Sequence, residues 1–461
     1  MITEKKNILI IGAGISGIAA AKILRGRGAT VTLSDTKSEA ELAAKFDFAE
    51  LKKAGVRLCF GKQEESLLDG VDLLLLSPVV PVAVPLAQEA IKREIYVTNE
   101  VELAAELAKS PFAAVTGTNG KTTTVTLLGL LLKTAFDKVG VGGNIGIPLC
   151  EEALRVGEGG AIAAEISSYQ MEAAHNFHPH VSAILNVTPD HIKRHGSMEV
   201  YQAMKERIFA AETDNDFVIL NYDDMRTRAM SDRAKCQVCF FSRREELAEG
   251  AFVKDNRLVI KWHGEEHTLV TIDELGIKGA HNVENALAAA ACAFFMGVAA
   301  SQMIPILRSF KGVEHRIEFV TEINGVSYYN DSKATNTDSA IKALETFPSH
   351  IILIAGGDDK GTDLTEFMQL VKARADELIL VGDAATRFRE GALNADFSAA
   401  HIHEAGYSME KAVDIAREIA APPQIVLLSP ACASFDMYDG FEERGRDFKR
   451  IVTDRAKGDA S

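Results

Sequence analysis

Short apolar runs, several of them closing on glycine, serine or an acidic residue, alternate along this chain with longer stretches whose apolar positions return at helical spacing. The first run is N-I-L-I-I-G (Asn7 to Gly12). A helix-like stretch follows from Ser16 to Arg27, then V-T-L-S-D, which ends on Asp35. V-R-L-C-F and V-D-L-L-L-L-S read as further strands. Strands alternating with helices indicate a parallel sheet covered by helices, hence an α/β fold. The pattern starts again at F-A-A-V-T-G (Phe112 to Gly117). Its helix is T-T-T-V-T-L-L-G-L-L-L, and A-I-A-A-E-I-S, V-S-A-I-L-N-V and D-F-V-I-L-N are strands. R-L-V-I-K-W-H-G-E-E-H-T-L-V reads as a hairpin turning at H-G-E-E, and helices are expected near Asn282 to Met296 and Ser301 to Ser309. A third start follows Lys311-Gly312-Val313, with V-S-Y-Y-N, H-I-I-L-I-A-G-G, E-L-I-L-V-G and Q-I-V-L-L-S-P as strands. The pattern predicts three domains, residues 1–97, 98–312 and 313–461.

Composition adds limits. A length of 461 residues accommodates two to four domains at roughly 100–200 residues each. A hydrophobic content of 47% with 25% charged residues suits globular domains with real cores. The formal net charge of −15 gives no general attraction to phosphate backbones, so no nucleic-acid partner is expected. Local anion sites at helix N-termini remain compatible with that charge. The longest weakly polar run, Ala286 to Ala300, is shorter than the roughly 20 residues of a membrane span. It reads as a buried helix, and no membrane association is expected. The start M-I-T-E-K-K lacks the apolar stretch of a signal peptide. The six cysteines include one C-x-x-C, Cys236 and Cys239, without a second ligand pair nearby. They read as small buried hydrophobes in a reducing, cytoplasmic setting.

Four constellations carry chemistry. G-A-G-I-S-G places Gly12, Gly14 and Gly17 between a strand and a helix, with Asp35 ending the next strand. Such a turn admits a diphosphate to a helix N-terminus, and an acidic residue at that place meets a diol. The residues alone leave open a dinucleotide, another nucleotide diphosphate, or packing. T-G-T-N-G-K-T-T (Thr116 to Thr123) also joins strand to helix. Backbone N–H groups of Gly117, Thr118, Asn119, Gly120 and Lys121 can cradle phosphates, Lys121 can neutralise them, and Thr122 can ligate Mg²⁺. Val115 stands where the ordinary G-x-x-x-x-G-K-[ST] loop has glycine, so this is a shortened variant. Glu165 ends a strand and suits Mg²⁺. By residue type alone His191, in N-V-T-P-D-H, is a surface or core histidine, and Lys205 a solvated helix lysine. Finally, H-R-I-E, N-D-S-K-A-T-N, G-G-D-D-K and S-P-A-C-A-S-F-D all stand in the last segment, at strand ends where open α/β sheets bind ligands.

Together, G-T-N-G-K-T-T, E-I-S-S-Y-Q, N-V-T-P-D-H, H-N-V-E-N-A-L, H-R-I-E, N-D-S-K-A-T-N and S-P-A-C-A-S-F-D resemble the Mur ligase family over essentially the whole chain. The resemblance implies an N-terminal Rossmann-like domain, a central P-loop-type mononucleotide-binding domain and a C-terminal Rossmann-like domain. It implies an ATP-dependent ligase of cytoplasmic peptidoglycan precursor synthesis, a monomer. Its substrates would be UDP-N-acetylmuramoyl-L-alanine and D-glutamate, joined through an acyl phosphate. The D-N-P-R motif of diaminopimelate- or lysine-adding members is absent. By resemblance, Gly117 to Thr123 (Thr123 included), Asn282, Asn285, Arg316 and Asp331 bind ATP. Gly14, Ile15, Ser16, Asp35, Thr36, Asn144, Ser167 and His191 meet the UDP substrate. Thr335, Lys360, Ser434, Phe435 and Phe441 meet D-glutamate. Two Mg²⁺ sites would use Thr122 with Glu165, and His191 with Lys205 converted to a carbamate. Lys121, Glu165, His191 and Lys205 form the implied catalytic set. One departure is S-P-V-V (Ser77 to Val80), where the family reads S-P-G. A nicotinamide-dependent oxidoreductase would explain only the first glycine motif, and a plain P-loop ATPase only the second.

Overall fold

The computed structural model describes residues 2–43, 45–190, 192–359 and 361–459. It contains three sheets. Five parallel strands, β1 (Asn7–Ile11), β2 (Thr30–Asp35), β3 (Arg57–Phe60), β4 (Leu73–Leu76) and β5 (Tyr96–Asn99), form the first, in the order β3-β2-β1-β4-β5. Along β1 the side chains alternate between two cores: Ile8 and Ile10 face one, Leu9 and Ile11 the other. Burial on both faces is why this strand is apolar throughout. The expected division at residue 97 falls inside β5, which pairs with β4 through Asn99. Asn99 then caps the next helix, Glu100–Leu107, accepting the N–H groups of Val101 and Glu102.

The second sheet holds β6 (Phe112–Thr116), β7 (Val139–Gly143), β8 (Ala161–Glu165), β9 (Val181–Ile184), β10 (Phe217–Asn221), β11 (Gln237–Ser242), β12 (Gly250–Lys254), β13 (Arg257–Trp262) and β14 (Glu265–Thr271). Their order is β14-β13-β12-β11-β10-β9-β6-β8-β7, with only β12-β13 and β13-β14 antiparallel. The hairpin turn is tighter than H-G-E-E: His263 (φ 51°) and Gly264 (φ 81°) make it alone. A two-residue loop with both φ positive matches strand twist, so Glu265 and Glu266 belong to β14. The predicted alanine-rich helix is Ala280–Phe295, buried from Ala286 to Ala293. The first and second sheets share one hydrophobic core. Side chains also stitch them together. Thr98 Oγ1 donates to the Ala173 carbonyl at 3.3 Å, and Glu102 accepts the N–H groups of His175 and Asn176 at 2.6 and 2.9 Å.

The third sheet comprises β15 (Glu318–Ile323), β16 (Val326–Asn330), β17 (Ile351–Gly356), β18 (Ala375–Val381), β19 (Ile402–Gly406) and β20 (Ile425–Leu428), ordered β15-β16-β20-β17-β18-β19. Only β15-β16 is antiparallel. Ile351, Leu353 and Ala355 of β17 face one core, Ile352 and Ile354 the other. The chain divides into two compact units, Met1–Leu275 with Val283–Ser309, and Gly276–Asn282 with Phe310–Ser461. All six cysteines are free, and Cys239 of the C-x-x-C is buried in β11. No helix among the described residues is long and apolar enough to cross a membrane.

Candidate active site

In the second sheet the strand order reverses beside β6: β9 lies on one side, β8 on the other, and β7 beyond β8. Loops leaving strand C-termini at such a point diverge and leave a crevice. The chain leaves β6 at Thr116 and enters the helix Lys121–Leu132 through a turn with Gly120 left-handed at φ +86°. A β-carbon on Gly120 would stand 2.2 Å from Asn285 Oδ1, so the position needs glycine twice over. The N-V-T motif straps this loop. Thr118 N donates to the Asn186 carbonyl at 3.0 Å, Asn119 N to Asn186 Oδ1 at 2.8 Å, and Thr188 N to Thr118 Oγ1 at 3.1 Å. Lys121 Nζ donates to the Gly117 and Thr118 carbonyls, both at 2.8 Å, and so curls over the loop. Thr122 and Thr123 are buried at the start of the helix. Asn285 is buried against the loop and accepts from Thr124 Oγ1 at 3.3 Å. Asn282, a turn earlier, is half-buried and donates to the Lys278 carbonyl at 2.7 Å.

Glu165 ends β8 beside Val115 of β6. It is only 2% exposed. Asn144 fixes it from two directions: its Nδ2 donates to Glu165 Oε1 at 2.9 Å and its N–H to the Glu165 carbonyl at 2.8 Å. Glu165 Oε2 is buried without a hydrogen-bond partner. A carboxylate oxygen left uncommitted beside a phosphate loop and a buried threonine suits a hard, oxygen-seeking cation, so these residues fit Mg²⁺. Lys205 is not the solvated lysine its residue type suggests. It is 2% exposed on the helix Met198–Glu206, its Nζ donates to the Gly117 carbonyl at 2.8 Å, and it lies 4.5 Å over the Tyr201 ring. Burial, and then the nearby Lys121 charge, hold its pKa well below the ordinary lysine value; Asp190 and Glu165 act the other way. His191 lies outside the described residues. Ser167 is committed to a capping box, donating to Gln170 Oε1 at 2.9 Å. Arg194 grips Glu172 at 2.8 Å through two nitrogens and donates to the Val79 carbonyl at 3.0 Å, tying the S-P-V-V loop to the second sheet.

In the first sheet the glycine turn is built for close approach. A β-carbon on Gly17 would sit 2.0 Å from the Gly12 carbonyl oxygen, whereas one on Gly14 would face open space. Gly17 therefore serves packing, and Gly14 leaves the turn accessible. Asp35 accepts the N–H groups of Ala13 at 2.9 Å and Lys37 at 3.0 Å, so it organises the turn itself. Ile15 and Thr36 are exposed beside it, and Ser16 is half-buried.

In the third sheet the polar motifs converge at the C-terminal ends of β16, β17 and β20. Asp331 is fully buried, accepting from Ser429 Oγ at 2.7 Å and Ile317 N at 3.2 Å, and burial pushes its carboxyl up to about 7. Arg316 contributes a partly offsetting positive charge there. Arg444, missed in the sequence, holds the cluster. It is 1% exposed and donates to Ser332 Oγ (2.9 Å), the Ser332 carbonyl (2.8 Å), the Ala433 carbonyl (2.9 Å) and the Cys432 carbonyl (3.1 Å). Its surroundings, E-E-R-G-R-D-F, read as a solvated helix face, so no sequence signal marks it. Ser332 Oγ also donates to the Phe441 carbonyl at 2.8 Å. Ser332 and Arg444 therefore bring the N-D-S turn, the strand end before Ser434 and Phe441 together. Ser434 is buried, Phe435 exposed, and Thr335 and Phe441 half-buried. Lys360 lies outside the described residues.

Comparison with known proteins follows this layout. Three family models match: "Mur ligase MurD-like, N-terminal domain" over residues 6–99, "Mur ligase middle domain" over 115–293 and "Mur ligase, glutamate ligase domain" over 315–432. The chain is 44% identical over 454 residues to the UDP-N-acetylmuramoylalanine--D-glutamate ligase of Thermoanaerobacter pseudethanolicus, covering 98% of this chain and 99% of that one. It is 46% identical over 459 residues to the protein of the same name from Pelotomaculum thermopropionicum, with 98% and 99% covered. Among solved structures, a pseudomurein peptide ligase type C from Methanothermus fervidus superposes with a TM-score of 0.59 at 20% identity, covering 97% of this chain and 100% of that one. The UDP-N-acetylmuramate-alanine ligase of Thermotoga maritima gives 0.58 at 18% identity, with 98% and 100% covered. These two likenesses support the fold alone. With its sheets matched in turn by the three models, and nearly all its length shared with such relatives, the chain belongs to the Mur ligase family.

Proposed function

We propose that this protein is an ATP-dependent ligase that joins D-glutamate to UDP-N-acetylmuramoyl-L-alanine in cytoplasmic peptidoglycan precursor synthesis. The observation that carries the substrate assignment is the full-length similarity to relatives bearing that name. The strapped loop beside a carboxylate with one uncommitted oxygen supports the phosphoryl chemistry. The γ-phosphoryl group passes from ATP to the L-alanyl carboxylate, and ADP leaves. The amine of D-glutamate then attacks the acyl-phosphate carbon, loses a proton, and phosphate departs from the tetrahedral intermediate. Such chemistry needs alignment and charge neutralisation more than a covalent nucleophile on the enzyme.

Each residue has a place in this reading. Lys121 leaves its loop carbonyls for the ATP phosphates, which the N–H groups of Gly117 to Thr123 also receive. Asn282, Asn285, Arg316 and Asp331 hold the rest of the nucleotide. Gly14, Ile15, Ser16, Asp35 and Thr36 hold the uridine diphosphate, and Asn144, Ser167 and His191 its muramoyl-alanine arm. Thr335, Lys360, Ser434, Phe435 and Phe441 hold D-glutamate. Thr122 and Glu165 hold one Mg²⁺; His191 and Lys205 hold a second. Bound Mg²⁺ supplies neutralisation of the phosphoryl oxygens. For its share Lys205 must be anionic. A lysine held toward its neutral form can attack CO₂ through Nζ, forming an N–C bond and releasing a proton to give a carbamate. The protein acts as a monomer, without nucleic acid or membrane.

An isotope experiment tests the route. With heavy oxygen in the L-alanyl carboxylate, one labelled atom is expected in the released phosphate. Phosphate free of label, with amide product formed, would exclude the acyl phosphate.

A further inference from the structure

Between β17 and the helix Thr365–Arg374 runs the glycine-containing loop G-G-D-D-K-G-T-D. It approaches the Ser434 strand end closely. Asp358 N donates to the Ala433 carbonyl at 3.0 Å, and the two residues form an isolated antiparallel bridge. Gly357 permits this contact, since a β-carbon there would lie 2.4 Å from the Ala433 oxygen. Past Asp358 the loop makes local turns: Gly361 N donates to Asp359 Oδ1 at 2.9 Å, Gly361 is left-handed at φ 64°, and Asp363 Oδ1 accepts from Thr365 N at 2.9 Å and Thr365 Oγ1 at 2.7 Å. The turn is also held from outside. Arg387, in the first turn of the helix Ala385–Asn394, donates through Nε and Nη2 to the two oxygens of Asp359, both at 2.6 Å. Its Nη1 donates to the Thr362 carbonyl at 2.8 Å. One planar guanidinium therefore grips the residues on both sides of 360–361. A bidentate fork fixes orientation as well as distance, which a lysine in its place could not do.

We infer that Arg387 is a positioning residue for the amino-acid substrate: by clasping Asp359 and the Thr362 carbonyl it holds the loop after β17, through Asp358 and Asp359, beside the strand end that leads to Ser434. This rests on the reading of the third sheet as the D-glutamate site. Arg387 touches no substrate in that reading; it acts through the backbone of the loop. Loss of the clasp lets the loop sample other conformations, and the acceptor then pays for ordering it. ATP and the UDP substrate do not bear this cost.

The test is steady-state kinetics on Arg387→Ala, Arg387→Lys and Asp359→Asn, with melting temperatures recorded alongside. Arg387→Ala is expected to raise KM for D-glutamate about tenfold, with KM for ATP and for the UDP substrate changed less than about twofold. Asp359→Asn, which keeps the loop's shape but breaks the ion pair, is expected to move the same parameter, and Arg387→Lys to recover only part. The double variant Arg387→Ala with Asp359→Asn is expected to be little worse than either single change, because both break one interaction. Equal rises in all three KM values, or an unchanged KM for D-glutamate in both single variants, would overturn the inference. If the unmodified protein fails to use D-glutamate at all, the functional reading itself fails.

Discussion

Lys205 is the residue on which sequence and structure differ most. Its helical context says solvent, yet it is buried with its amine on the phosphate-loop carbonyl of Gly117. No local pattern distinguishes a buried helix lysine from an exposed one, because the burial comes from chain segments far away. Lys205→Ala should be nearly inactive, with partial recovery on adding a small carboxylic acid that stands in for carbamate oxygens. Full activity without rescue would make Lys205 a packing residue only. Lys121 was legible, since its glycine-flanked loop between strand and helix has few other uses. Lys121→Ala should lower kcat/KM by about a thousandfold through lost phosphate neutralisation, read by phosphate release. At Gly120 the left-handed backbone and the 2.2 Å approach to Asn285 both oppose a side chain. Gly120→Ala should therefore weaken binding of an ATP analogue in calorimetry, while Gly14→Ala, facing open space, should leave it unchanged.

Apolar runs made β1, β4, β6, β8, β10, β17 and β20 readable, because strands buried on both faces must be apolar throughout. β7 escaped notice for a physical reason. It reads V-G-V-G-G, with glycines where neighbours come too near: a β-carbon on Gly140 would stand 2.9 Å from Glu152 and Val156, and one on Gly142 2.4 Å from the Ile147 carbonyl. β15 and β19 are edge strands with polar positions, which blurs their signal. The helix–strand framework around β9 and β10 also stores a pH response. Glu212 is 3% exposed, and burial pushes its pKa up from 4.5 to about 8, with the neighbouring Cys236 and Ser182 side chains acting the other way. The folded state thus holds this proton more tightly than the unfolded chain. This group's contribution to stability is fully present below about pH 4.5 and is lost as pH rises through about 8. Glu212→Gln should flatten that slope and gain on the order of 1–3 kcal/mol at alkaline pH, measured by urea unfolding across the range. An unchanged slope would show that other groups govern it. Arg444→Met should cost about 3 kcal/mol or more, since it strands buried carbonyls of Ser332, Cys432 and Ala433.

At the scale of the whole molecule, the three-sheet α/β organisation and the family were readable because the first two segments each open with a strand, a glycine turn and a helix, and the third carries its polar motifs at the ends of apolar strands. The long-range contacts of Asn186, Arg194 and Arg444 were not, because they join segments distant in sequence. The central claim is that a triphosphate, a sugar-nucleotide carboxylate and an amino acid are handled by one chain in one reaction. Phosphate release measured with ATP, Mg²⁺ and UDP-N-acetylmuramoyl-L-alanine, against a panel of amino acids, addresses it most directly. The account predicts rapid release with D-glutamate and little with any other amino acid or when either acceptor is omitted. Rapid ATP hydrolysis that ignores both acceptors, or preference for a different amino acid, would contradict it.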